Sequence, residues 1–316
     1  MTAPTGPAAG VHLPWAEVPA AVRAWAAEVG GGPPTEVHDV HGGFSPGAAT
    51  RLRCPRSSIF VKAVGAALNP ESPHLHRREA VVAAALPPSA RVPRLLGTFD
   101  DGDWVALAFD AVDGRPPAHP WAGGELDAVV GALRELHRDL TPTPVPSLEP
   151  AAAYLRPLFG GWAVLAAMEA PPPALDGWAG RHLGRLSELE AAWPDACRGD
   201  TLVHGDVRSD NILLGSAGVV FVDWPHAAVG TPVLDLVEWA PSVQLEGGPQ
   251  PEDLLARYDG AGLTDPEVVT VLLAAVCGFF VEHSLRPPPP GLPTVRSFQA
   301  AQGEVALTWL RRRTGW

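Results

Sequence analysis

Apolar and polar positions follow two different rhythms along this chain. Near the start, Trp15, Val18, Val22, Trp25 and Val29 recur at helical spacing and stop at three consecutive glycines, residues 30–32. The pattern then shortens to a period of two. Strands are predicted over 35–40, 49–53 and 58–64, the last with Ile59, Val61 and Ala63 alternating. A helix is predicted over 77–86, closed by Pro87 and Pro88, and a hairpin over 95–99 and 104–109 with Asp and Gly in its turn. After Asp113 and Gly114 the helical period takes over. Leu126, Val129, Val130, Leu133, Leu136 and Leu140 make one apolar face, and Leu183, Leu186 and Leu189 another. Only two further strands are expected, over 212–214 and 219–222, before helices resume near Asp235, Glu252, Pro266 and Phe298.

A strand-rich opening followed by a helix-rich remainder implies an α+β, two-lobed chain, with an N-terminal lobe over 1–112 and a helical C-terminal lobe over 113–316. Ligands commonly bind in a cleft between such lobes. The apolar run over 268–281 is shorter than the roughly 20 residues that span a bilayer, so it reads as a buried helix. The first 15 residues lack a signal peptide's basic start and apolar core.

Charge and composition narrow the classes. A net charge of −12 disfavours nucleic acid or an anionic membrane as partner, while it tolerates a cationic substrate. Three widely spaced cysteines, Cys54, Cys197 and Cys277, suggest neither a zinc site nor a disulfide framework, which points to a reducing, cytoplasmic setting. The excess of Ala, Gly, Pro and Arg resembles a GC-rich, actinobacterial coding bias. Lys62 is the only lysine beside 22 arginines, and Asn69 and Asn211 are the only asparagines. Residues that survive such a bias are candidates for a specific task.

The chemistry concentrates in His204-Gly205-Asp206-Val207-Arg208-Ser209-Asp210-Asn211, followed after one turn by Val222-Asp223-Trp224. Phosphoryl transfer needs a carboxylate to orient or deprotonate the attacking hydroxyl, oxygen ligands for Mg2+, and fixed positive charge. Asp206 suits the first task, and Asn211 with Asp223 the second, because amide and carboxylate oxygens match a hard cation. Taken singly, these residues are equally well turn aspartates and a strand-start cap. Their joint spacing favours chemistry.

This segment resembles the catalytic loop and metal-binding segment of the aminoglycoside phosphotransferase family, small-molecule kinases of protein-kinase-like fold. The resemblance runs, more weakly, from about Val40 to Trp239. It implies that Lys62 lies on the third strand, reaches the phosphates of ATP or GTP and pairs with Glu79 on the next helix. The turn containing Gly42, Gly43, Ser45 and Gly47 would cover those phosphates with backbone N–H groups, although its spacing differs from a kinase glycine loop. Residues 109–112, with Asp110 and Val112, would be the hinge that holds the adenine edge. Asp235 matches the aspartate that braces the catalytic loop. His137 and His204 read as structural, and Arg208 as a source of charge for the transferring phosphate.

The expected activity is transfer of a γ-phosphate to a small-molecule hydroxyl, with an antibiotic such as an aminoglycoside as the acceptor. Choline, homoserine or a sugar are the alternatives within the same fold, and a nucleotide-binding pseudoenzyme is the alternative outside it. Glu238, Glu246, Glu252, Asp253 and Glu282 are acidic positions that can line a site for a polycation. A protein kinase is disfavoured, because no DFG or APE follows Asp206 and the loop from Trp224 to Asp235 is short.

Overall fold

The computed structural model describes residues 12–40, 46–259, 264–289 and 292–316. Along the chain run α1 (Ala20–Gly30), β1 (Glu36–Asp39), β2 (Ala48–Arg53), β3 (Ser58–Gly65), α2 (Ser72–Ala85), β4 (Leu95–Asp100), β5 (Trp104–Asp110) and β6 (Gly114–Arg115). There follow α3 (Glu125–Asp139), α4 (Ala151–Tyr154), α5 (Gly161–Ala166), α6 (Gly177–Glu190), α7 (Trp193–Ala196), β7 (Thr201–Val203), β8 (Ile212–Gly215), β9 (Gly218–Phe221) and β10 (Ala228–Gly230). The chain ends with α8 (Val233–Leu245), α9 (Pro251–Tyr258), α10 (Pro266–Ser284) and α11 (Val295–Thr314).

Two compact units emerge. The first comprises Met1–Pro116, Asp210–His226 and Pro288–Thr294, and the second Pro117–Ser209, Ala227–Pro287 and Val295–Trp316. The chain therefore passes from one unit to the other between Ser209 and Asp210, inside the motif singled out above.

The first unit holds an antiparallel sheet in the order β1-β2-β3-β5-β4. The alternation in β3 does what a period of two dictates. Ile59, Val61 and Ala63 are fully buried in one core with Val22 and Ala26 of α1, while Phe60 and Lys62 face the other way. β5 is buried along nearly its whole length because α1 and α2 both pack on it. α2 starts five residues earlier than its apolar pattern predicts. The Asn69 side chain accepts from the N–H groups of Glu71 and Ser72, and Pro73 occupies the first turn, so capping chemistry sets the start. A second, three-stranded sheet, β6-β8-β9, completes the unit.

The second unit is helical. α10 is long and apolar enough to cross a membrane, yet 67% of its apolar window is buried against other helices, α5, α6, α7, α8 and α11 among them. Trp162 is fully buried there and donates its indole N–H to the Ala274 carbonyl at 2.8 Å. The α3 face is buried from Leu126 through Leu140, as its period requires. β7 and β10, three residues each, form a small antiparallel pair that precedes and follows the motif singled out above.

Candidate active site

In the first unit, β3 aims Lys62 at α2. Its Nζ donates to Glu79 Oε2 at 2.7 Å and to Asp223 Oδ1 at 2.5 Å. The ammonium side chain is 12% exposed and Glu79 is almost wholly buried. Desolvation alone would lower the lysine's pKa, but the two carboxylates outweigh it and hold the ammonium charged well above the ordinary range. Burial would likewise raise Asp223, but Lys62 brings its carboxyl down to about 2. Glu79 goes the other way, because its burial exceeds the pull of Lys62 and Asp223 adds a like charge. The Trp224 N–H also points at Glu79 Oε1, at 3.4 Å. The predicted pairing of Lys62 with Glu79 is thus present, and Asp223 joins it.

Asn211 and Asp223 meet through the backbone. β8 and β9 pair with Ile212 opposite Phe221, and beyond the strands Val222 N–H donates to the Asn211 carbonyl at 2.9 Å. Asn211 sits on a single 3-10 turn, Ser209–Asn211, just ahead of β8, and Asp223 follows two residues after β9. Asp223 adopts φ 69°, the only left-handed non-glycine among the described residues. Such a conformation costs on the order of 1 kcal/mol and persists only where surroundings impose it. The bond to Lys62 is one such constraint.

Gly47 is the described part of the predicted phosphate turn; Gly42, Gly43 and Ser45 lie outside the described residues. It has φ 121°, and a Cβ there would come within 2.5 Å of the Ala63 carbonyl, one residue beyond Lys62. Glycine at 47 therefore lets the backbone at that residue lie directly on β3. At the predicted hinge, the Asp110 and Ala111 N–H groups bond to the Arg94 and Ser58 carbonyls, and the Asp110 carboxylate pairs with Arg94 at 3.0 Å. Val112, the next residue along, is partly buried.

In the second unit, the loop carrying Asp206 hangs on one buried carboxylate. Asp235, fully buried on the first turn of α8, accepts from Gly205 N–H on Oδ1 at 2.7 Å and from His204 N–H on Oδ2 at 2.9 Å. His137 Nε2 also donates to Oδ2, at 2.8 Å, which leaves Nδ1 to accept from the Tyr258 hydroxyl at 2.8 Å. Burial would raise Asp235, yet these donors keep its pKa below the ordinary value. His204 turns its own ring back on the loop, where Nδ1 accepts from Asp206 N–H at 3.2 Å. Gly205 has φ 73°, which a side chain rarely adopts, so glycine here serves the loop's shape.

The outcome for Asp206 is a carboxylate one-third exposed on a backbone fixed from below. Arg208 lies 3.9 Å from it and stacks over Phe298, 5.1 Å from the ring centroid. Ser209 then donates to Glu246 Oε1 at 2.6 Å. Of the acidic residues suggested for a polycation site, Glu252 is paired with Arg313 and Trp309, and Glu282 with Arg286 and His283. Only Glu238 shares a helix with the Asp235 brace, and Glu246 caps the C-terminal end of that helix. Sequence reasoning missed this selection. The signal was the spacing 235, 238, 242, 246, which is one helical face. The loop resting on α8 at 204–205 and at 209 was not visible in it.

Comparison with known proteins follows from this geometry. The model of the phosphotransferase enzyme family matches residues 55–272, more than half of the chain. No curated protein sequence matches. Among solved structures, an aminoglycoside-3'-phosphotransferase of type VIII is 24% identical with TM-score 0.54, covering 81% of this chain and 97% of its own. A thermostable mutant of aminoglycoside phosphotransferase APH(4)-Ia, solved with AMP-PNP and hygromycin B, is 13% identical with TM-score 0.60, covering 93% and 99%. The choline kinase LicA from Streptococcus pneumoniae is 13% identical with TM-score 0.55, covering 89% and 92%. At these identities the likenesses speak for the fold, and they share the antiparallel sheet followed by helices described above. The chain belongs to the phosphotransferase enzyme family and is a small-molecule phosphotransferase of kinase-like fold.

Proposed function

We propose that this enzyme transfers the γ-phosphate of ATP to a hydroxyl of a small molecule in the cytoplasm, with an antibiotic such as an aminoglycoside as the leading acceptor class. The observation that carries this is the Lys62–Glu79–Asp223 triad. A buried ammonium held by two carboxylates is a costly arrangement for a merely structural lysine, and it stands ready for an anion. Choline, homoserine or a sugar remain the alternative acceptors, since the fold serves all of them.

The residues present fit a nucleotide with Mg2+. The triad carries one positive and two negative charges, and Asn211 and Asp223, joined by the Val222–Asn211 backbone bond, offer amide and carboxylate oxygens, the donors a hard cation prefers. Bound there, Mg2+ would offset charge on the phosphates. Glu79 would keep Lys62 aligned toward the phosphate oxygens, and the N–H groups of the turn ending at Gly47 would shield them. Asp206 would orient the acceptor hydroxyl and take its proton as the oxygen–phosphorus bond forms and the bond to the departing ADP breaks. Arg208 would face the charge of the transferring group.

The test is nucleotide-dependent phosphorylation of a panel of aminoglycosides, other antibiotics, choline, homoserine and simple sugars, with Asp206→Ala alongside. Turnover that disappears in the variant supports the reading and identifies the acceptor. Turnover that survives in Asp206→Ala removes Asp206 from its role, and absence of AMP-PNP binding to the wild type removes the nucleotide.

A further inference from the structure

Two opposite charges leave the loop at 204–209 side by side. Val207 is buried, and Asp206 and Arg208 on either side of it turn outward from that anchor, 32% and 16% exposed. Arg208 NH1 stands 3.9 Å from Asp206 Oδ1. A guanidinium and a carboxylate that pair fully close to about 2.7–2.9 Å, often through two parallel N–H···O bonds. These two are drawn together by charge, yet they stop about 1 Å short of that contact.

The same guanidinium lies over the ring of Phe298. Its Cζ is 5.1 Å from the ring centroid, inside the roughly 6 Å over which an aromatic face attracts a cation. Phe298 belongs to the first turn of α11 and is half-buried rather than part of the core. Its place is nonetheless firm. One turn further on, Gln302 is 1% exposed and donates from Nε2 to Ser242 Oγ on α8 at 2.7 Å. Arg296, in the same first turn, donates to the Pro287 carbonyl at 3.1 Å and to Gln299 Oε1 at 2.7 Å. A ring on a helix start tied in this way is a fixed surface, whereas an arginine is a long side chain with many rotamers. The ring places the cation rather than the reverse.

We propose, resting on the phosphotransfer reading above, that Phe298 is a positioning residue whose ring holds the Arg208 guanidinium off Asp206. Two tasks depend on that gap. Asp206 needs an unblocked oxygen to take the proton of the acceptor hydroxyl, and Arg208 needs N–H donors directed at the transferring group. A closed Asp206–Arg208 ion pair would occupy both with each other. A cation–π contact suits the separation, because it attracts the guanidinium through its planar face and leaves the N–H groups at its edge for oxygen acceptors. A carboxylate in place of the ring would tie up those donors, and an aliphatic side chain would pack there without the attraction.

The test has a structural and a kinetic arm. Crystal structures of the wild type and of Phe298→Leu read the Arg208–Asp206 distance directly. The wild type should keep the 3.9 Å separation. In Phe298→Leu the pair should close below about 3.2 Å, within hydrogen-bond reach. An acceptor turned over by the wild type supplies the kinetic arm. Phe298→Leu should lower kcat about tenfold, the scale of a largely desolvated cation–π contact, with the KM for ATP within about twofold. Phe298→Tyr, which keeps an aromatic face, should restore most of that loss. In an Arg208→Ala background the leucine change should alter kcat by less than about twofold, because the ring acts through Arg208. A merely structural ring would lower kcat equally in both backgrounds. That result overturns the proposal, as does a distance in Phe298→Leu that stays open. Unchanged kcat in Phe298→Leu or in Arg208→Ala, or a tyrosine variant as slow as the leucine one, overturns it too. The phosphotransfer reading survives each of these outcomes, because loss of turnover in Asp206→Ala decides it. Failure of the wild type to bind AMP-PNP fells that reading, while the distance in Phe298→Leu still decides whether the ring holds Arg208.

Discussion

Replacing Asp235 by Asn isolates the brace beneath the loop proposed to be catalytic. The side chain keeps its shape but loses its charge, and one of its two acceptor oxygens becomes an NH2 group. Asp235 has three donors on two oxygens, with Gly205 N–H on Oδ1 and both His204 N–H and His137 Nε2 on Oδ2. The amide will keep its remaining oxygen toward the pair of donors, which turns NH2 toward the Gly205 N–H. A buried donor facing a donor costs about 1–3 kcal/mol, and loss of the charge on the other two bonds adds to it. Removal of one partner from a buried ionic network costs about 3–5 kcal/mol in general, so about 3 kcal/mol locally is the expected figure. Since every 1.4 kcal/mol is a factor of about ten, the Gly205 amide should exchange its hydrogen more than a hundredfold faster than in wild type. Turnover should fall about a hundredfold, because displacement of a reacting group by about 1 Å costs that much. Hydrogen exchange followed by mass spectrometry on peptides spanning 201–209 reads the first effect, and steady-state kinetics the second. Tyr258→Phe, which removes only the hydroxyl donating to His137, should move exchange by less than tenfold. If the 201–209 peptides of Asp235→Asn exchange within fivefold of wild type, the loop does not hang on Asp235 and the reasoning fails.

Other perturbations address the remaining parts. Lys62→Met leaves Glu79 and Asp223 facing each other without their cation, so kcat/KM for ATP should fall at least about a hundredfold, and AMP-PNP titration by calorimetry should show the loss in binding. Gly47→Ala places a methyl 2.5 Å from the Ala63 carbonyl at φ 121°, so the melting midpoint should drop by several degrees with the KM for ATP rising; an unchanged midpoint contradicts the close packing on β3. Glu190 is buried and accepts from the N–H groups of Gly160, Trp162 and Ala163, yet burial pushes its carboxyl up to about 7 from an ordinary 4.5. Between those values the folded protein binds more protons than the unfolded chain, so stability falls as pH rises from about 4.5 to 7, by up to about 3 kcal/mol. Glu190→Gln should flatten that part of the urea-denaturation profile, and a slope unchanged in the variant removes Glu190 as its source.

Much of this was legible in the sequence because it is local. The alternation in β3 fixes which face Lys62 occupies, and the spacing of Asp206, Asn211 and Asp223 is carried by one short segment. The apolar face of α3 likewise announces itself by period, and α10 by the length of its apolar run. What stayed hidden depends on distant or backbone-level causes. The start of α2 is set by Asn69 capping, since its first turn, with Pro73 and His76, has little apolar periodicity to read. β6, β7 and β10 are two or three residues long, too short to alternate. The partners of His137 are Asp235 and Tyr258, 98 and 121 positions away, so no window of sequence joins them. The sequence reads His137 as structural, and the ring has that role by linking the Asp235 and Tyr258 side chains. The left-handed φ of Asp223 has no residue signature at all, because an aspartate there looks like any other.

A chain with one lysine, and that lysine clasped by two carboxylates, has a single ε-amine for any acylating reagent to find. Amine chemistry, which on most proteins scatters over many lysines, here meets one ε-amine besides the chain's α-amine. The rate at which an active ester labels Lys62 becomes a gauge of how often the ammonium leaves its carboxylates and sheds a proton. Coupling the enzyme to a support through ε-amines would consume the one lysine, the group proposed to meet the nucleotide phosphates.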